Sequence, residues 1–199
     1  MKWLSDMSKN AIRKRILSRR DALSPLEIVS LSQEIAAEFL SSAVYAAAST
    51  LALYCSIRSE VVTSGIFAAA VEAGKCVLYP RTVGTTLEFV AVETLESLVA
   101  SRFGICEPSS GEKLPLSKID LLVLPGVAFD KQGIRLGYGL GCYDRALAAE
   151  GRPTLVGLAY DFQVIASLPH EKHDIPVDIV VTERKILSMY PAASFGTPY

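Results

Sequence analysis

The spacing of hydrophobic residues changes along this chain, and the changes mark out alternating helices and strands. Ile12, Ile16 and Leu17 recur at helical spacing among basic residues, which predicts a helix over about residues 5–20. A second helix should start at Ser24-Pro25-Leu26-Glu27: Ser caps, Pro suits the first helical position, and Glu reaches back to the cap. Leu31, Ile35, Phe39 and Leu40 then share one face, and this helix should run to about Tyr45. Thr50 to Ile57 reads as a buried strand, and Thr63 to Ala73 as a short helix stopped by Gly74 in a left-handed cap. Cys76 to Tyr79 reads as a strand closed by Pro80, and Leu87 to Val92 as another. Residues 104–117, rich in Gly, Pro and Ser, read as loop. Ile119 to Leu124 is a continuous apolar run before Pro125-Gly126, the pattern of a strand covered on both faces. Leu140 to Glu150 should be helical, and Thr154 to Tyr160 and Asp178 to Thr182 extended.

Strands alternating with helices predict an α/β fold, a mainly parallel sheet with helices on both faces. With 199 residues, half of them hydrophobic, the chain suits a single domain over 1–199. In that reading residues 1–22 form a basic helix packed on the domain, and 191–199 a loosely ordered tail. The charged fraction of 21% excludes a disordered class. Net charge is −1, but residues 1–20 hold seven Lys/Arg against the single acid Asp6. Such a segment suits an anion, a nucleic acid or a membrane surface, or is simply a solvated face.

Cys55, Cys76, Cys106 and Cys142 lie far apart, with neither C-x-x-C nor zinc spacing. Met1 to Asp6 lack the apolar core of a secretion signal. Phe39 to Ile57 carries no charge over 19 residues, close to spanning length, but its serines and alanines read better as a helix running into a strand. A cytoplasmic enzyme is the expectation.

The chemistry concentrates in Leu124 to Arg145, LPGVAFDKQGIRLGYGLGCYDR, which follows the most apolar strand and precedes a helix. In open α/β sheets ligands bind at this end of the strands. Asp130 to Gly133 fits a type I turn. Gly137, Gly139 and Gly141 alternate, so that backbone N–H groups can wrap an anion. Arg135 adds a fixed positive charge and Asp144 a carboxylate, the parts a magnesium–nucleotide complex needs. The glycines match neither G-x-G-x-x-G nor a P-loop. Spacing alone therefore leaves a phosphate cradle and a structural glycine-rich turn both open.

This segment resembles the 5-formyltetrahydrofolate cyclo-ligase family, whose pattern is close to PGVAFDxxGxRLGxGxGYYD. The resemblance covers nearly the whole chain. Lys9 and Arg13 match the K-x-x-x-R of the family's first helix, and Glu60 the acid after its first strand. Pro80-Arg81 match the Pro-Arg of its next strand, and Gly104 to Pro108 its G-I-x-E-P loop. Leu168-Pro169 through Asp178 match its L-P-x-E-x-H-D-x-P-x-D segment.

The resemblance implies an ATP- and Mg²⁺-dependent ligase that turns 5-formyltetrahydrofolate into 5,10-methenyltetrahydrofolate, releasing ADP and phosphate. It further implies that Lys9, Arg13, Arg135 and the loop Leu136, Gly137, Tyr138, Gly139, Leu140, Gly141, Cys142 and Tyr143 hold ATP. Arg135 and Tyr143 are the implied catalytic residues. Cys55, Glu60, Tyr138 and Cys142 would contact the folate, with Glu60 on the pterin, and Asp144 and Asp178 would hold Mg²⁺. Arg81 is either an anion contact or structural. Asp120, Asp130 and Arg145 read as structural or solvated, and the His170/His173 pair as loop. The chain departs from the family where Cys142 replaces Tyr and Leu140 replaces a Gly or polar residue, so one aromatic contact to folate is missing. The implied partner is a reduced folate, with no nucleic acid or membrane, for a monomer or weak dimer. Two alternatives are a phosphotransferase acting on another small carbonyl compound and a non-catalytic relative that binds nucleic acid through residues 9–20.

Overall fold

The computed structural model describes residues 8–101, 104–148, 152–171 and 174–189. Their helices are α1 (Lys9–Arg20), α2 (Pro25–Leu40), α3 (Ala43–Ala47), α4 (Ser64–Glu72) and α5 (Cys142–Leu147). The strands are β1 (Thr50–Ala52), β2 (Cys76–Val83), β3 (Thr86–Ala91), β4 (Leu98–Ala100), β5 (Cys106–Pro108), β6 (Lys113–Leu114) and β7 (Leu121–Leu124). They continue with β8 (Ala128–Asp130), β9 (Arg135–Leu136), β10 (Thr154–Leu158), β11 (Val164–Ile165), β12 (Ile179–Val181) and β13 (Ile186–Ser188).

The main sheet runs β13-β12-β10-β7-β1-β2-β3-β6. Neighbours from β12 through β2 pair in parallel, and β13, β3 and β6 are antiparallel. Alternate residues of each parallel strand feed two cores. Leu51, Val77, Val123, Val156 and Val181 face one side, where Ile35 and Phe39 of α2 and Ile66 and Phe67 of α4 cover them. Ala52, Leu78, Leu122, Leu155 and Val180 face the other, under Leu147 and Tyr143 of α5 and the loop residues Ile119 and Val177. The expected mainly parallel α/β sheet is thus observed, with the thinner cover on the α5 face.

A three-stranded sheet, β11-β8-β9, stands apart. Ile12 and Ile16 of α1 bury against its Ala128, Leu136 and Ile165. This is how the basic amino-terminal helix is held beside the chain that follows β7.

Several boundaries differ from the sequence expectation, each for a local reason. The α1 helix is capped by Ser8; residues 5–7 lie outside the described set, as do Lys172, His173 and the 191–199 tail. The helix expected to reach Tyr45 stops at Leu40. There the Ser42 hydroxyl donates to the Phe39 carbonyl (2.6 Å) and accepts the Tyr45 N–H, capping α3. The uncharged stretch 39–57 therefore divides among α2, α3 and β1, and among the described residues no helix is long and apolar enough to cross a membrane.

Strand β1 ends at Ala52 because the chain turns back on itself. The Tyr54 hydroxyl donates to the Val61 carbonyl (2.8 Å), and Thr63 Oγ1 donates to the Tyr54 carbonyl (2.8 Å). Pro80 does not close β2. It lies past the last β2 residue paired with β1, where a missing N–H can face away from the ladder. Segment 104–117 contains β5 and β6, and the helix expected over 140–150 is seen as Cys142–Leu147.

Candidate active site

The parallel strands are ordered β12-β10-β7-β1-β2, so the winding direction reverses between β1 and β7. Loops leaving the carboxyl ends of those two strands flank a crevice, the usual ligand position in an open α/β sheet. The β1 loop carries Cys55 and Glu60. The β7 segment carries Arg135 and the glycine loop. Helix α1, packed on β8 and β9, lies alongside.

The glycine loop is built from the hairpin upward. Asp130 Oδ1 accepts the N–H groups of Gln132 (2.9 Å) and Ile134 (3.0 Å), and its Oδ2 accepts that of Leu168 (2.8 Å). Asp130 is structural, as expected. Beyond β9, Gly139 (φ 101°) and Gly141 (φ 64°) adopt left-handed backbone that side chains resist, and Gly141 caps α5. Arg13 Nε donates to the Gly137 carbonyl (2.9 Å), and its Nη2 would lie 3.7 Å from a Cβ placed on Gly139.

Arg135 lies beneath the loop with its side chain 7% exposed. Its Nη2 pairs with Asp144 Oδ2 at 3.1 Å, its guanidinium lies 5.6 Å from the Tyr143 ring centre, and its buried Nε has no partner. An unpaired buried N–H beside a glycine loop fits an anion. Arg145 is exposed, as the sequence reading allowed, and it also makes backbone contacts. Its Nε donates to the Thr85 carbonyl (2.8 Å) and its Nη2 to the Leu140 carbonyl (2.7 Å), tying the loop to the β2–β3 turn.

Lys9 pairs with Asp174 (2.8 Å) and Glu171 (3.2 Å). Burial pulls its ammonium pKa down, and the hydrogen bonds to Asp174 and then Glu171 outweigh that, leaving it raised. Lys9 is thus already engaged with two carboxylates, one of them beside Ile175, whose N–H reaches Asp144 Oδ1 (3.5 Å).

On the β1 side, Arg58 takes a left-handed backbone (φ 52°), uncommon for a residue with a side chain. The turn it makes lets the Ile57 N–H donate to Glu60 Oε2 (3.0 Å), while the Glu60 N–H donates to the Ile57 carbonyl (3.1 Å). Glu60 is 4% exposed. Burial raises its pKa, against the Ile57 hydrogen bond, the Arg20 charge and a hydrogen bond from Tyr138. Tyr143 is held protonated by burial, so its hydroxyl is a donor and not a base. The Cys55 thiol is pushed up by burial and by hydrogen-bonded Cys106, so it forms a neutral wall.

The structure therefore gathers Arg13, Arg135, the loop Leu136 to Asp144, Glu60 and Cys55 beside the carboxyl ends of β1 and β7, with Lys9 one turn before Arg13 on α1. Leu140 projects outward at 64% exposure. Cys142 lies outside the core clusters, with its Sγ 3.6 Å from Arg145 Nη2. Asp178 must be corrected. It stands at the amino-terminal end of β12, away from the crevice, where Oδ2 accepts the Leu155 N–H (2.7 Å) and Oδ1 accepts Arg152 Nη2 (2.9 Å). Its carboxylate fastens two strand starts together and is not available to a metal at the loop. Arg81 is likewise structural, paired across the hairpin with Glu88 (2.9 Å). Sequence reasoning missed Arg20, buried to 1% exposure; its one signal was its position seven residues after Arg13 on the same helix face.

A basic glycine cradle facing a buried carboxylate across the switch point of a parallel sheet defines an α/β enzyme built to hold an anion beside a polar heterocycle. The 5-formyltetrahydrofolate cyclo-ligase family model matches residues 5–183. The Escherichia coli 5-formyltetrahydrofolate cyclo-ligase is 36% identical over 179 residues, covering 86% of this chain and 98% of the relative. The mouse cyclo-ligase is 28% identical over 190 residues, covering 88% of this chain and 94% of the relative. Among solved structures, the Aquifex aeolicus 5,10-methenyltetrahydrofolate synthetase superposes with a TM-score of 0.85 at 35% identity, covering 96% of this chain and 97% of that one. The Mycoplasma pneumoniae synthetase superposes at 0.71 with 30% identity, covering 89% and 99%. The chain belongs to the 5-formyltetrahydrofolate cyclo-ligase family and is a ligase.

Proposed function

We propose that this enzyme closes 5-formyltetrahydrofolate to 5,10-methenyltetrahydrofolate at the expense of ATP, using the crevice between the β1 and β7 loops. The observation that carries the reading is the placement of Glu60 opposite the Arg135–Asp144 glycine loop. A formamide is a poor electrophile. Bound ATP supplies a γ-phosphoryl group that converts the formyl oxygen into a leaving group; the second folate amine then attacks the formyl carbon and phosphate departs. The chain needs no nucleophile of its own, and its work is positioning and charge neutralisation.

Glu60, with two acceptor oxygens, suits the paired donors of the pterin's aminopyrimidine edge. Cys55 walls that side. The backbone N–H groups of residues 137–143, with Arg13 and Arg135, suit the polyphosphate, and Lys9 would exchange its acidic partners for it. Tyr143, under Arg135 and kept protonated, supplies a ring wall and a hydroxyl donor. Asp144 is a single carboxylate at the cradle, and among the described residues no group of three or more His, Cys, Asp or Glu side chains gathers as a metal site. The one carboxylate of Asp144 at the cradle would suit Mg²⁺, which commonly arrives on phosphates and takes one or two carboxylates.

The engagement of α1 favours a small-molecule partner over nucleic acid. Lys9, Arg13 and Arg20 turn into the chain, and Arg19 lies 4.3 Å from the Phe162 ring centre. A monomer or weak dimer suffices for a crevice lined by one chain. The discriminating experiment measures phosphate release from ATP with and without 5-formyltetrahydrofolate. Release that depends on the folate and matches methenyl formation one for one supports the reading. A stable phosphorylated product with another carbonyl compound, and no folate dependence, contradicts it.

A further inference from the structure

Arg20 is a buried cation on the helix that carries Arg13, and its guanidinium must be compensated because arginine does not deprotonate. Two hydroxyls receive it. Arg20 Nε donates to Ser59 Oγ (3.1 Å), and Ser59 donates to Asp21. Arg20 Nη2 donates to the Tyr138 hydroxyl, which is itself hydrogen-bonded to Glu60. The cation is thus spread over two carboxylates by two neutral relays, and one of them ends on the residue assigned to the pterin.

Tyr138 belongs to the glycine loop, between Gly137, held by Arg13, and the left-handed Gly139. Arg13 and Arg20, two turns apart on one face of α1, therefore hold adjacent residues of that loop, one by its backbone and one by its hydroxyl.

We propose that Arg20 is a positioning residue for folate binding: acting through the Tyr138 hydroxyl, it holds Glu60 in its ionised, pterin-accepting form and fastens the glycine loop to the folate side of the crevice. This deepens the functional reading above and rests on it. Other groups also face Glu60, and the relay acts beside them: the Ile57 N–H donates to its Oε2 (3.0 Å) and favours the charged form as well. Arg58, on the same loop, is a further cation beside Glu60. Tyr54, Tyr143 and Tyr160, from the ends of β1 and β10 and from α5, are kept protonated by burial, and Cys55 is likewise a neutral thiol. Burial raises the Glu60 pKa on balance, so each stabilising contact decides how far into the working pH range the carboxylate stays charged.

The test is the pH profile of kcat/KM for 5-formyltetrahydrofolate at saturating ATP in Tyr138→Phe and Arg20→Lys, with the ATP KM and thermal midpoint measured alongside. Each variant keeps the fold's bulk but breaks the relay. Both should move the acid limb to higher pH by about half a unit or more and raise the folate KM near pH 6 roughly threefold to tenfold. At alkaline pH the folate KM should return toward the native value, and the ATP KM should not follow the same pH dependence. A purely structural Arg20 would lower the thermal midpoint and leave the profile in place. Profiles superimposable on the native enzyme in both variants overturn the proposal whatever happens to stability. Glu60→Gln separates the two levels. If it abolishes folate binding while the relay variants are silent, only Arg20's role fails; if it leaves folate binding and the acid limb unchanged, the folate assignment fails with it.

Discussion

At the residue scale the site is a set of charges in places where charge is costly. Glu60 is the sharpest case. Burial holds its pKa above the ordinary 4.5, so the folded chain binds that proton more tightly than the unfolded chain does. Ionising it therefore costs stability as the pH rises through the folded pKa. Glu60→Gln does not titrate. Its thermal midpoint relative to the native enzyme should be more favourable near pH 7.5 than near pH 4, while folate turnover should be lost. A difference that stays flat with pH would mean Glu60 is not held above its ordinary range. Asp144 is a carboxylate with an Arg135 partner and a partly exposed edge. Asp144→Asn should lower kcat by about a hundredfold or more while costing roughly 1–3 kcal/mol of stability, read from kinetics and denaturant titration. Near-native turnover would remove Asp144 from the reacting centre.

At the scale of elements, most of the frame was legible because its signals are local. The Ser24 capping box forms as read, with the Ser24 N–H on Glu27 at 2.8 Å and the Glu27 N–H on Ser24 Oγ at 3.3 Å. Gly74 takes the left-handed cap that ends α4. Ser24→Ala should cost about 0.5–2 kcal/mol in denaturant titration and leave both KM values alone. Boundaries failed where a tertiary partner decided them. The Ser42 hydroxyl split one predicted helix in two, and the fold-back of Tyr54 onto Val61 and Thr63 cut the first strand short. No periodicity announces either event. Some glycines also owe their place to distant contacts. A Cβ on Gly157 would come within 2.4 Å of the Phe129 ring, so Gly157→Ala should cost roughly 1–3 kcal/mol by overpacking the β7–β10 seam. An unchanged thermal midpoint would show that the ring can move aside.

Across the whole molecule, the sheet topology explains why residues 20, 60 and 138 meet although the sequence separates them widely. The winding reversal between β1 and β7 sets their loops side by side, and α1 returns over the small sheet to close the third wall. The glycine loop and Glu60 were legible through motif and resemblance. Arg20's role and Asp178's were not, because one depends on burial by distant chain and the other on which end of a strand a residue occupies. Asp178 shows the limit of motif transfer: a matching letter fell at the wrong end of the sheet.

The central claim is that this crevice performs the cyclo-ligase reaction, and one measurement tests it most directly. Purified enzyme is mixed with 5-formyltetrahydrofolate, ATP and Mg²⁺, and the near-ultraviolet absorbance of the methenyl product is followed. The account predicts product growth that needs ATP, stops when EDTA removes the divalent ion and resumes on Mg²⁺ addition. Folded enzyme at high concentration that forms no methenyl product, with all three present, would contradict it.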